Sequence, residues 1–137
     1  LGYSQFRKGR EPLLVATTTP VAFDPDAWHH SLDRMLALGP QACCLTHYGK
    51  IERPEQRVDM LRSSIQAHVD IALEEEQRDP EGREARLKQA VDRLLVDAGC
   101  AHSGLGPDQV RQIFESDIDL NAQGLNIWLI RRAKKRA

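Results

Sequence analysis

Apolar residues return every three or four positions through most of the second half of this chain, and that period constrains its architecture more than any other feature. Val58, Leu61, Ile65, Val69, Ala72 and Leu73 trace one stripe, the spacing of a helix that buries a single face. Leu87, Val91, Leu94, Leu95 and Ala98 trace a second that stops at Gly99. Val110, Ile113 and Phe114 trace a third, opened by Pro107. A further helix is predicted from about Asp119 through Leu125, Trp128 and Leu129 into Arg131, Arg132, Lys134, Lys135 and Arg136. Between the first two, Pro80 and Gly82 break the charged run Glu74 to Glu81, which reads as a solvated turn between helices.

The first half is mixed. Asp24 can cap a helix with its carboxylate, Pro25 suits the first helical position, and Asp26 adds favourable charge to the first turn. That helix should run to about Gly39-Pro40, with Trp28, Leu32, Met35, Leu36 and Leu38 on its apolar side and His29 paired with Asp33 one turn on. Two short apolar runs, Pro12 to Ala16 and Ala42 to Thr46, read as strands. Separated by a helix, they would lie parallel through a strand-helix-strand crossover. Parallel strands are normally buried in larger sheets, so two alone read as the end of an α/β domain whose other strands lie upstream. The first residue, Leu1 rather than Met, agrees with that expectation.

Composition excludes some functions. Lys and Arg number 19 against 20 Asp and Glu, a net charge of -1, so no global field recruits nucleic acid or anionic lipid. The basic end complements a helix dipole; read instead as a nucleic-acid site, it would bind in a salt-dependent way. No apolar run approaches the ~20 residues of a membrane span, and the sequence shows no signal-peptide pattern; a soluble, cytoplasmic protein is expected. Cys43, Cys44 and Cys100 form no metal-ligand spacing, and Cys43 and Cys44, as strand neighbours, point apart. They read as small buried hydrophobes in a reducing compartment.

One residue stands out chemically. His47 follows the second apolar run in Cys43-Cys44-Leu45-Thr46-His47-Tyr48-Gly49, and a strand end holds a side chain firmly while leaving its tip open, as a metal ligand requires. The ordered segments Thr17-Thr18-Thr19-Pro20-Val21-Ala22-Phe23-Asp24-Pro25-Asp26-Ala27-Trp28, Ser31-Leu32-Asp33-Arg34, Leu45-Thr46-His47-Tyr48-Gly49 and Asp119 to Leu125 followed by Trp128-Leu129 resemble the C-terminal part of metallo-β-lactamase-fold hydrolases, within a bacterial branch. The resemblance implies an α/β/β/α sandwich with two divalent ions, zinc or else iron or manganese, at a sheet edge. It implies hydrolysis of a small-molecule substrate by metal-activated water.

In that family a His-x-His-x-Asp-His motif, a further histidine and a bridging aspartate supply most ligands, and a last histidine completes the second metal site. Only that last position carries over, onto His47; the chain has no His-x-His-x-Asp-His segment, and His29-His30 diverge around a helix axis. The resemblance also puts Thr17, Thr18, Thr19 and Tyr48 near the substrate. The threonines read equally as a turn whose hydroxyls cap backbone groups.

The expectation is therefore an α/β fragment, mostly helical with two short strands. Residues 1–52 would end the sandwich core and carry the last ligand loop. Residues 53–137 would form a helical segment that packs on the core or on a second subunit as a homodimer. Such a chain would depend on a missing N-terminal segment and be inactive alone. The rival expectation is a stand-alone helical module that binds a protein partner and has no chemistry.

Overall fold

A computed structural model describes residues 11–45 and 49–136. It contains α1 (Pro25–Leu36), β1 (Ala42–Cys44), β2 (Lys50–Glu52), one turn of 3-10 helix (Pro54–Gln56), α2 (Val58–Glu76), α3 (Arg83–Ser103) and α4 (Pro107–Arg136). The chain is thus mostly helical with two short strands. It divides into two units: residues up to Ala16 with Asp24–Gln66, and Thr17–Phe23 with Ala67–Ala137.

In unit one, α1 starts where its capping residues dictate. The Asp24 carboxylate accepts the Ala27 N–H at 3.0 Å, satisfying a donor that the first helical turn leaves unpaired. Leu32 is buried and Trp28, Met35 and Leu36 pack half-buried against the core. Leu38 is 84% exposed, because the helix ends at Leu36 and the residues beyond it leave the apolar phase. His29 and Asp33 meet through a third residue rather than each other: Arg62 bonds His29 Nδ1 at 3.2 Å and donates to Asp33 Oδ1 at 2.6 Å. Leu14, Ala16, Leu32, Ile51, Val58, Leu61 and Ile65 form the core.

The strands differ from expectation. Among the described residues the sheet is β1 with β2, antiparallel, pairing Ala42 with Glu52, Cys43 with Ile51 and Cys44 with Lys50. Among the described residues no parallel ladder joins Pro12 to Ala16 with β1. That segment is buried extended chain with an isolated bridge at Leu13. The Leu14 N–H lies 3.2 Å from Met60 Sδ and the Ala16 N–H donates to Ser64 Oγ at 2.9 Å, so α2 side chains take backbone groups that a ladder would otherwise pair. β2 escaped a periodicity reading because three residues, only Ile51 of them buried, are too few to show alternation. Cys43 touches Met35, Sγ to Sδ 3.6 Å, whereas Cys44 faces solvent, a correction to its reading as a buried hydrophobe.

In unit two, α3 and α4 form an antiparallel pair, with Lys88 bonded to Asp119 at 2.5 Å and Arg111 to Asp92 at 2.7 Å. Leu87, Val91, Leu95, Val110, Phe114, Ile118, Ala122, Leu125 and Leu129 are buried. Two helix limits moved. The second stop is Gly104, whose φ of +71° gives the left-handed cap, its N–H donating to Cys100 O at 2.8 Å, so α3 runs past Gly99. The predicted short and last helices are one uninterrupted helix of 30 residues, because the polar run Glu115 to Asp119 holds no proline or glycine to break it. The turn between α2 and α3 is held by Arg86, which donates to Glu75 Oε2, Glu81 O and Asp79 O, each at 2.7 Å.

Candidate functional site

The strands β1 and β2 flank residues 46–48, where the last ligand is expected. The Leu45 N–H donates to Gly49 O at 2.9 Å, and the Arg53 N–H to Gln41 O at 2.8 Å at the other end, so the two flanks of residues 46–48 are pinned by the ladder they extend. Ile51, 2% exposed, anchors β2 in the core of unit one. Thr46, His47 and Tyr48 themselves lie outside the described residues, and with them the expected metal ligand His47 and the expected substrate contact Tyr48. Among the described residues no group of three or more His, Cys, Asp or Glu side chains is arranged to hold a metal ion. The described donor set does not fit a zinc, iron or manganese centre by itself.

A cleft of about 570 Å³ opens at the Gln41 and Arg53 end of the hairpin, between Leu36, Gly39, Lys50 and Glu52. Lys50 is tied to Glu52 at 3.0 Å, and the lining carries no serine, threonine, cysteine or histidine. It is a groove in the surface with no catalytic grouping.

The three threonines are separated by the fold. Thr19 is exposed and Thr17 partly so, while Thr18 is wholly buried. The Thr18 N–H donates to Asn121 Oδ1 and its hydroxyl to Asn121 O, both at 2.8 Å. The Asn121 amide nitrogen lies 3.4 Å from His68 Nε2. Since Asn121 Oδ1 accepts from Thr18, its Nδ2 is the atom turned to His68, which requires an unprotonated Nε2 there. Gly124 completes the clamp: the Thr18 carbonyl oxygen stands where a Cβ on Gly124 would be. In this arrangement Thr18 ties the segment Thr17–Phe23 to α4, and its hydroxyl serves a backbone group, the capping alternative for these residues.

His68 and Asn121 were not singled out as individual residues in the sequence. The signal was present. His68 falls in the apolar phase of α2 between Ile65 and Ala72, and Asn121 in that of α4 between Ile118 and Leu125, where a polar side chain must find an internal partner. The basic end is also committed internally. Arg131 donates to Val21 O at 2.7 Å, Arg132 and Arg136 bond Glu76 at 2.9 and 3.3 Å, and Arg132 lies over the Trp128 ring. Trp128 in turn meets Phe23 edge-on at 5.6 Å, as a helix anchor should. No helix among the described residues is long and apolar enough to cross a membrane. Compared with known proteins, the chain matches no family model, no curated protein and no solved structure.

Proposed function

We propose that this chain is the C-terminal portion of a cytoplasmic metallo-β-lactamase-fold, metal-dependent hydrolase. Unit one would be the end of an α/β/β/α sandwich, contributing His47 to a metal site shared with upstream ligands. The observation that supports it is the pinned hairpin: the Leu45 to Gly49 bond and the buried Ile51 give the His47 segment the rigid flanks that a ligand loop needs. The ordered segments of sequence supply the family. On this reading the isolated chain is expected to be inactive, and the small-molecule substrate is met by the intact parent.

The test is metal content, with lactam, thioester, lactone and phosphodiester turnover, on the isolated chain and on the intact parent. The reading expects less than one metal per isolated chain and no turnover. In the parent, His47→Ala should lower the metal content from two ions to one. Stoichiometric metal with turnover by the isolated chain overturns it. So does a reading frame that encodes no His-x-His-x-Asp-His segment upstream.

A second reading, a helical protein-interaction module, is favoured by one observation: unit two buries an apolar core of its own between α3 and α4. It expects no change in metal content on His47→Ala in any context. Nucleic-acid binding is not proposed, since Arg131, Arg132 and Arg136 are spent on internal partners.

A further inference from the structure

His68 is wholly buried, and histidine is the side chain whose charge changes nearest neutral pH. Its Nε2 faces the Asn121 amide nitrogen at 3.4 Å, while Asn121 Oδ1 accepts the Thr18 N–H at 2.8 Å. A neutral ring fits this arrangement: Nε2 offers a lone pair to Asn121, and Nδ1 carries the proton. A protonated ring does not, because it sets an N–H donor against the donors of the amide. Turning the amide over gives His68 an oxygen but puts the amide nitrogen on the Thr18 N–H, so the conflict passes to Thr18. Thr18, Asn121 and His68 are 0%, 2% and 0% exposed, so water supplies no substitute acceptor while the segment stays in place. Farther along, Thr17–Phe23 is held to α4 by Arg131 on Val21 O and by Trp128 against Phe23. Val21 holds a φ of +66°, which a β-branched residue rarely adopts, so the docked segment carries strain that release relieves.

We propose that His68 is a proton-operated latch on the segment Thr17–Phe23: neutral, it lets the Asn121 side chain hold Thr18, and protonated, it takes the Asn121 oxygen and frees the Thr18 N–H. The docked segment accepts only the neutral ring, so proton uptake favours release; the latch is closed at neutral pH and opens in acid. The hydroxyl bond of Thr18 goes to the Asn121 backbone oxygen and does not depend on which way the amide is turned, so opening loosens the segment and leaves the helices intact. The charged neighbours are few. Within four positions of His68 on α2 there is Asp70, and within four of Asn121 on α4 there are Asp117 and Asp119. Asp119 is bonded to Lys88 of α3, the buried side of α3 is formed by Leu87, Val91 and Leu95, and Thr17–Phe23 carries no charged side chain. Asp117, whose carboxyl is raised by burial, is the competing titratable group. The inference uses unit-two residues alone and is independent of the hydrolase reading; its readout is amide exchange, not metal.

The experiment is amide hydrogen exchange followed by nuclear magnetic resonance on the whole chain, from about pH 7.5 to about pH 5, with each rate divided by its intrinsic rate at that pH. Protection of the Thr18 amide should fall roughly tenfold across that range, the loss of about one hydrogen bond, while the Val91 and Leu125 amides keep theirs. His68→Gln, whose amide oxygen can accept from Asn121 without titrating, should show no change at Thr18. Asn121→Asp should reverse the sign, because its carboxylate accepts from Thr18 and pairs with a protonated His68, so that protection rises as pH falls. That variant decides the matter if His68→Gln loses its helical circular dichroism. Asp117→Asn should keep the wild-type fall. A wild type with constant Thr18 protection overturns the proposal, as does a fall shared equally by Val91 and Leu125. So does a folded His68→Gln that retains the fall, an Asn121→Asp that falls like the wild type, or an Asp117→Asn that abolishes the fall and so assigns the proton to Asp117.

Discussion

Replacing Gly124 by alanine sets two physical effects against each other with opposite signs. In an exposed helix interior, alanine is favoured over glycine by about 1 kcal/mol, so propensity alone makes Gly124→Ala stabilising. The structure says otherwise. The added Cβ would coincide with the backbone carbonyl oxygen of Thr18, which has no side-chain freedom with which to give way. Thr17–Phe23 must lift from α4, taking with it the two 2.8 Å bonds between Thr18 and Asn121. Each bond contributes about 1 kcal/mol net, and leaving Asn121 buried without them costs about 1–3 kcal/mol more. Set against the propensity gain, the expected loss is about 2–4 kcal/mol, which for a chain of this size lowers the melting temperature by roughly 6–16 °C. Thermal and urea unfolding followed by far-ultraviolet circular dichroism measure it. Gly106→Ala, where a Cβ meets only Gln109 Oε1 at 3.8 Å, should change stability little. Thr18→Val, losing the hydroxyl bond alone, should fall between them. A Gly124→Ala protein that melts higher than the wild type would refute the account of Thr18 and Asn121 as a clamp.

Arg86→Lys keeps the charge but loses the planar fork that reaches Glu75, Asp79 and Glu81 together. A loss of about 2 kcal/mol is expected, read by urea unfolding, because the 7%-exposed Glu75 side chain loses the directed Arg86 bond, and Asp79 O and Glu81 O lose theirs. Asp24→Ala removes the α1 cap and should cost about 1 kcal/mol in the same assay. Asp117 carries the opposite sign. Its carboxyl is raised by burial, so its charge is better solvated in the unfolded chain and weighs against folding above the folded pKa. Asp117→Asn should therefore stabilise at neutral pH, by less than about 0.5 kcal/mol because the site is only half-buried. The gain should vanish as pH falls below the ordinary aspartate value of 3.8; a gain that persists in acid would show that desolvation is not its origin.

Helices were legible where chemistry is local. The Asp24 cap, the prolines at positions 25 and 107, and the apolar phase of α2 and α3 act within a few residues of themselves. Helix limits were less so, because Gly99 and Gly104 are equally good stops on paper and only the left-handed turn at Gly104 distinguishes them. The candidate site was legible as residue types alone. Thr18 offers the same hydroxyl to a substrate or to a backbone group, and it is the position of Asn121, 103 residues away, that makes it a clamp.

By itself, the sequence determined the helical character of this chain, the start of α1, the lack among the described residues of a helix long and apolar enough to cross a membrane, and the presence of one histidine at the end of an apolar run. These follow from periodicity and capping, which depend on neighbours along the chain. The tertiary structure decided how β1 is paired, that Pro12 to Ala16 hands backbone groups to α2, that α4 is continuous, and that Thr18, Asn121 and His68 share one buried network. Those outcomes depend on which distant groups arrive to satisfy a donor or fill a space. A buried polar atom is settled only by a partner that the local sequence does not contain.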